Sequence, residues 1–365
     1  MATEDARYRL SSQFRLWSYP SPKLADLREK TNALAAQQIS TRLRETKPED
    51  LLPEFLTAAE ETVLLKFFTV ELIRAAIFCD LPTEIRATAA VFLRRFYITN
   101  SVMTYPPTDL LKTCLFFGGK AEGYFAKLSK LADKFPNTTE EEILAGEFLL
   151  CQGIRFAFDV RHPFRGLEGT ILELRRHSDI KTSRIDAAHQ RAREILKFSS
   201  LVTDAYFHYT PSQIMLAALS LADEGLCDTI LDNTFAKASG DALEVKAKLT
   251  ATVRACKDLL STELPERMQD YWGTFANSIK PESMKLIRPL VKKLKKCRDP
   301  DRADLVALQK ARREAAATAT AKEKEVRKGS KPGLDGGALG MPLGGLDRDT
   351  KRRKVTGDDV FGGAL

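Results

Sequence analysis

The sequence has little with which to do chemistry of its own. It holds four histidines, His162, His177, His189 and His208, at spacings that suit no metal. A GxxxxGKS/T phosphate loop, an HExxH helix and a GxSxG elbow are all missing. The glycines of Gly336–Gly345 follow no strand, so they do not read as a nucleotide fingerprint. Six cysteines, Cys79, Cys114, Cys151, Cys227, Cys256 and Cys297, are scattered without a zinc or CxxC pairing and without the gaps of a small disulfide scaffold. They read as small core residues of a chain kept reduced. No apolar run approaches the roughly 18–20 residues that a membrane span requires. The stretch from Met1 to Leu10 is polar and lacks a signal-peptide core. Strand-like alternation is almost absent, which leaves an all-α fold. No catalysis, no metal, no cofactor and no membrane partner are expected.

Charge is unevenly placed. The 365 residues carry a net +8, but Lys285 to Leu365 alone hold 21 Lys+Arg against 11 Asp+Glu. The rest of the chain has 36 against 38 and is close to neutral. A basic groove built into the folded body is therefore not expected, and direct nucleic-acid binding with it.

What the chain does have is a long internal repeat. YPPTDLLKTCLFFGGK (Tyr105 to Lys120) and YTPSQIMLAALSLADE (Tyr209 to Glu224) align at an offset of 104, tyrosine on tyrosine, Pro107 on Pro211, Leu115 on Leu219. A spacing of this size exceeds the 20–50 residues of a solenoid repeat, so it marks two related helical modules in tandem. Apolar period and helix breakers place helices at 55–79, 84–100, 107–120, 126–134 and 139–156 in the first module. In the second they fall at 163–176, 185–206, 211–224, 227–236 and 241–261. Pro82, Pro107, Pro163 and Pro211 each stand at a helix start, where the missing N–H costs nothing. Thr210 with Gln213, and Thr138 with Glu141, have capping-box spacing. Flanking helices are expected over 22–44, 283–296 and 302–328. Beyond Gly329 the composition cannot bury enough surface to fold.

Two modules of five helices, together with RRFYITNSVMTYPP (Arg94 to Pro107), HPFRGLEG (His162 to Gly169), TDAYFHYTPSQI (Thr203 to Ile214) and SSQFRLW (Ser11 to Trp17), resemble the cyclin family. The similarity runs from about Tyr8 to Leu264 and is narrowest to the branch that serves the CDK-activating kinase. It implies an all-α protein with two tandem cyclin-box five-helix domains and flanking N- and C-terminal helices. The division it implies is an N-terminal segment 1–50, a first cyclin box 51–160, a second 161–264, C-terminal helices 265–328 and a disordered basic tail 329–365. It also implies a non-catalytic subunit that activates a cyclin-dependent kinase, with a RING-finger assembly factor as third partner and docking on the core of the general transcription factor TFIIH. The substrates implied are the activation loops of cyclin-dependent kinases and the C-terminal repeats of RNA polymerase II. ATP and magnesium then belong to the kinase, and the expected location is nuclear.

The residues implied at a kinase interface are Lys120, Glu147, Cys151, Phe156 and Phe158. Glu147 stands out unaided, because it interrupts the apolar stripe Ile143, Leu150, Cys151 and Ile154, where an unpartnered buried charge costs several kcal/mol. A carboxylate bonded to water or to a lysine of the same chain is the plainer reading, and the family points to a bond with the kinase. Lys120 follows Gly118 and Gly119, a pair that indicates close approach of another backbone. It reads either as a solvated, dipole-compensating charge or, by resemblance, as a contact to carbonyls near the kinase αC helix. The second module has Glu224 at the matching position, which points to the first as the kinase-gripping copy. The Lys120–Gly123 run lacks the bulky residue and second acid that cyclins place there. Phe156 and Phe158 match positions that pack on a kinase, with core packing the rival for Phe156. The helix over Leu64 to Cys79 lacks the arginine- and tryptophan-bearing substrate-docking motif of cell-cycle cyclins, and no destruction box is evident. Lys351, Arg352, Arg353 and Lys354 form a candidate nuclear import signal, or simply a solvated basic tail. A TFIIB-like factor would require a zinc ribbon and basic module surfaces. A kinase-independent helical scaffold is the other alternative.

Overall fold

Several helix starts, those at Ser12, Ala58, Glu140, Pro211 and Glu224, are set by side chains that bond backbone N–H groups before the first turn closes. The computed structural model describes residues 4–46, 48–49, 51–124, 127–176, 179–236, 239–272, 282–302 and 304–329. Among these residues there is no strand. Three N-terminal helices come first: α1 (Glu4–Leu10), α2 (Ser12–Trp17) and α3 (Ser21–Thr46). The first module comprises α4 (Ala58–Phe78), α5 (Thr83–Thr99), α6 (Pro107–Ala121), α7 (Leu128–Ala132), α8 (Glu140–Ala145) and α9 (Glu147–Gly153). The second comprises α10 (Phe164–Leu174), α11 (Thr182–Lys197), α12 (Ser199–Val202), α13 (Ala205–His208), α14 (Pro211–Ala222), α15 (Glu224–Thr234) and α16 (Asp241–Ser261). C-terminal to them lie α17 (Met268–Trp272), α18 (Glu282–Lys296) and α19 (Leu305–Gly329).

The fold class read from the sequence holds, and several boundaries move for identifiable reasons. Helix α4 starts at Ala58 rather than 55 because Thr57 and Glu60 form a reciprocal capping box. The Thr210–Gln213 box is present. The other box is made by Thr139 and Glu142, one residue beyond the expected Thr138 and Glu141. The helix expected over 139–156 is two, α8 and α9, separated at Gly146. That expected over 185–206 is three, broken at Phe198 and again at Thr203 and Asp204. Helix α14 ends at Ala222, because the Asp223 side chain caps α15 through Leu226 N at 3.1 Å. Glu224 therefore opens a new helix, whereas Lys120 sits in the last turn of α6, so the two matched positions differ in place as well as charge. Of the four prolines, Pro107 and Pro211 occupy the first helical turn, while Pro82 and Pro163 are N-caps.

Helix α5 is the centre of the first module and packs on α4, α6, α9 and α3. Its residues from Ala87 to Ile98 are buried without interruption. Helix α14 plays that part in the second, between α10, α11, α15 and α16. The modules are tied by buried charge. Arg94 of α5 donates to Val202 O and to Asp204, and Arg28 of α3 grips the same carboxylate with bonds of 2.9 and 2.7 Å. Burial alone would raise the Asp204 carboxyl, but the Arg28 hydrogen bonds and the Arg94 charge outweigh it and hold it well below the usual range.

The flanking helices close on the first module. Ile287, Leu290 and Leu294 of α18 are buried, and Lys293 bonds Glu54 at 2.5 Å and Glu60 at 3.0 Å. Asp299, almost fully buried, donates its N–H to Met103 O at 3.0 Å and accepts from Arg42 of α3. The chain divides into two compact units, Met1–Arg313 and Glu314–Leu365, the second contributing the end of α19. The basic run at Lys351 to Lys354 and most of the tail expected to be disordered lie outside the described residues.

Candidate functional site

Close packing of α6 and α9 on α5 brings the separated candidates together. A Cβ on Gly118 would lie 3.1 Å from the Ala89 Cβ and 3.2 Å from its backbone N, so the close backbone approach inferred from the glycine pair is made by α5. A Cβ on Gly153 would lie 2.3 Å from the Phe96 ring, which only glycine permits. Thr113 of α6 donates to Ile143 O at 2.8 Å and fixes the end of α8 against α6.

In this setting Lys120 Nζ donates to Glu147 Oε1. The ammonium also lies 5.3 Å from the Phe116 ring centroid and 6.0 Å from that of Phe117, within cation–π range. The lysine side chain is 43% exposed and the glutamate 22%. Such a pair contributes only about 0–1 kcal/mol, so it costs little to open. One bond uses a fraction of its capacity, since an ammonium has three donors and a carboxylate about four acceptor positions.

Beside the pair the chain makes an unusual turn. Arg155 and Phe156 have φ of 55° and 53°, two consecutive left-handed residues without a glycine. Each costs roughly 1–3 kcal/mol and persists only where its surroundings hold it. Phe156 N donates to Cys151 O at 2.8 Å, and Arg95 donates to Ala157 O at 3.1 Å. Arg95 and Arg155 stand over the fully buried Trp17 ring at 5.3 and 5.6 Å. Gln13 accepts from Arg161 N at 2.7 Å. The N-terminal α2 is thus the buttress of the turn. The sequence offered only a resemblance there.

The turn throws Phe156 outward, 57% exposed, so it is not a core residue of this chain. Phe158 is 38% exposed, with its ring edge-on to Phe117 at 5.1 Å. Phe148, 55% exposed, lies 6.4 Å from Phe156, which lies 6.3 Å from Phe158. Phe148 went unremarked in the sequence; the available signal was an aromatic off the apolar stripe, next to Glu147. Cys151 is different: it is buried beneath the surface, and burial, then the Glu147 charge, pushes its thiol up. The result is a row of outward phenylalanines ending at a lysine–glutamate pair, an apolar patch with two polar anchors. Among the described residues no cluster of histidine, cysteine and acidic groups could hold a metal, and no helix is long and apolar enough to cross a membrane.

A pair of helical modules of this kind, with a polar pair joining α6 and α9 of the first, defines a duplicated cyclin fold. A model of the cyclin C-terminal domain matches residues 162–261. The chain is 52% identical to a chain in a structure of the CAK complex from Chaetomium thermophilum bound to ATP-γ-S, with a TM-score of 0.79 over 93% of this chain and 100% of that one. It is 31% identical to a chain of the yeast TFIIK (Kin28/Ccl1/Tfb3) complex, with a TM-score of 0.58 over 69% of this chain and 100% of that one. It is also 32% identical to Cyclin CCL1 of Saccharomyces cerevisiae over 65% of this chain, and spans 63% of the length of that relative. The chain belongs to the cyclin family, in the cyclin H group that these relatives represent.

Proposed function

We propose that the chain is the non-catalytic cyclin subunit of a CDK-activating kinase. The observation that carries this reading is the Lys120–Glu147 pair, partly open to solvent and flanked by Phe148, Phe156 and Phe158. Such a surface offers a partner helix apolar area together with one donor and one acceptor. The kinase brings ATP and magnesium, and this chain supplies a rigid wall against its αC helix. In a kinase the lysine–glutamate pair and the magnesium-binding aspartate must be aligned for transfer. A wall that fits only the inward αC shifts the population. Taking it from 1:99 to 99:1 needs about 5.5 kcal/mol of differential affinity. An interface of about 1,600 Å² is large enough to supply this.

In this proposal Lys120, Glu147, Phe156 and Phe158 touch the kinase, and Cys151 supports them from below. The boxes are 51–160 and 161–264. A RING-finger assembly factor is the third subunit, in keeping with the three-subunit yeast TFIIK, one chain of which this chain resembles. Docking on the TFIIH core, activity toward RNA polymerase II repeats and CDK activation loops, and nuclear residence belong to the same reading. Co-expression with a candidate kinase tests it: recovery of a stoichiometric complex, whose polymerase-repeat phosphorylation requires this chain, is expected. A chain that captures no kinase would overturn it.

A further inference from the structure

A cavity of about 240 Å³ opens where α4 and the start of α5 meet α11 and α12, closed on a third side by Pro265 and Met268. Its wall is largely apolar and includes Ile73, Ile77, Phe198 and Leu201. None of the Lys120–Glu147 site residues lines it. The volume exceeds the roughly 150 Å³ apolar cavity that takes a benzene. It falls below the about 300–1,000 Å³ of pockets for drug-sized ligands. One bulky side chain with its neighbouring methylenes fits it. The apolar surface continues outside, because Ile77 is 44% exposed and Phe78 beside it 62%.

The rim carries charge of mostly one sign. Among the described residues, neither Arg86 nor Lys197 has a carboxylate within ion-pair distance; Arg86 Nε donates to Leu81 O at 2.5 Å. Glu194, the one acid on the rim, is turned to Arg191 at 3.5 Å. Burial, then repulsion from Arg193 and Arg86, lowers the Lys197 ammonium from its ordinary value, and the charges of Glu194 and Glu84 offset this only in part. An incoming carboxylate would relieve that repulsion, and charge complementarity of this sort selects partners more than it adds raw affinity.

We propose that this cavity is a second docking site, which takes a segment of a protein partner in which one bulky apolar side chain is flanked by carboxylates. The apolar side chain fills the space between the modules, as anchor residues do at interfaces. The carboxylates meet Arg86 and Lys197. The site shares no lining residue with the Lys120–Glu147 face and uses residues from both modules, so it reads a correctly assembled pair.

The test uses the full chain, labelled at isoleucine and methionine methyls, and an eight-residue peptide with one tryptophan between aspartates. Saturable shifts at Ile73, Ile77 and Met268 are expected. The asparagine version of the peptide should bind about tenfold more weakly, as should the acidic peptide to Lys197→Glu and to Arg86→Glu, in line with the loss of a charged hydrogen bond. Unchanged methyl shifts elsewhere verify folding of each variant. Three results would overturn the proposal: no shifts at millimolar peptide, equal affinity for the acidic and asparagine peptides, or the same shifts appearing with protein concentration alone. The last would make the occupant a second copy of the chain.

Discussion

Lys120 and Glu147, 27 residues apart in sequence, bond to each other across the junction of α6 and α9. The plain reading of Glu147, a carboxylate held by a lysine of its own chain, is therefore true of the chain alone, and the proposed interface role would draw on the same two groups. Both groups are presented in place, with unused bonding capacity and little cost to rearrangement.

Replacing Glu147 by alanine is expected to weaken kinase binding by about 1–3 kcal/mol, the loss of a charged hydrogen bond. The same change should alter stability by less than about 1 kcal/mol, because the pair is partly open to solvent. Calorimetric titration with the kinase, alongside thermal unfolding of the variant, separates the two quantities.

Phe156 gives the opposite balance. Its φ of 53° is strained for any side chain, and its ring is 57% exposed. Phe156→Gly should hold or raise the unfolding midpoint, since glycine relieves a conformation costing about 1–3 kcal/mol. Kinase affinity should nevertheless fall by at least about 1 kcal/mol, the threshold that marks an energetically important interface residue. Binding and unfolding curves on one sample decide it.

Trp17 links the N-terminus to that turn. Its ring is fully buried under Arg95 and Arg155. Trp17→Ala should cost about 3–5 kcal/mol of stability. It should also loosen the Phe156 turn, seen as faster hydrogen exchange of the Phe156 N–H that bonds Cys151 O.

His162 sets a pH dependence. Tyr206 O–H donates to Nδ1 at 2.7 Å, and Nε2 donates to Thr88 Oγ1 at 2.8 Å, whose hydroxyl in turn donates to Glu122. This order gives the neutral ring one acceptor and one donor, and burial, then the Arg95 charge, lowers its pKa to about 3. Below about 6.5 the unfolded chain takes up a proton that the folded chain refuses, so stability falls as pH drops from 6.5 toward 3. Between pH 7.5 and 5.5 the His162 share is about 1.4 kcal/mol. Glu71, raised to about 7 by burial, works the other way in part of this window, so wild type must be compared with His162→Gln. The variant should be less stable at pH 7.5 and lose less on acidification, as read from urea unfolding at the two values.

Much of this was legible in the chain because it rests on local rules. The repeat at Tyr105 and Tyr209, the four prolines and the Thr210–Gln213 box place helices by short-range chemistry. The apolar stripe around Glu147 exposed the anomaly there. What the sequence concealed depends on contacts distant along the chain. Nothing local in the sequence marks Arg94 and Arg95 as interior, yet both are buried, one tied to Asp204 and the other stacked on Trp17. The left-handed pair Arg155–Phe156 breaks the preference for glycine and is sustained by α2, far upstream. The break at Gly146 was hidden by an apolar period that continues across it.

The central claim is that this chain holds a kinase in its working state through the Lys120–Glu147 face. The most direct measurement is phosphorylation of an RNA polymerase II repeat peptide by a cyclin-dependent kinase alone, with the wild-type chain, and with a Lys120→Ala/Glu147→Ala chain that folds normally. The account predicts strong activity only with the wild-type chain, and a large loss with the double variant at equal concentration. Full activation by the double variant, or none by the wild type despite binding, would contradict it.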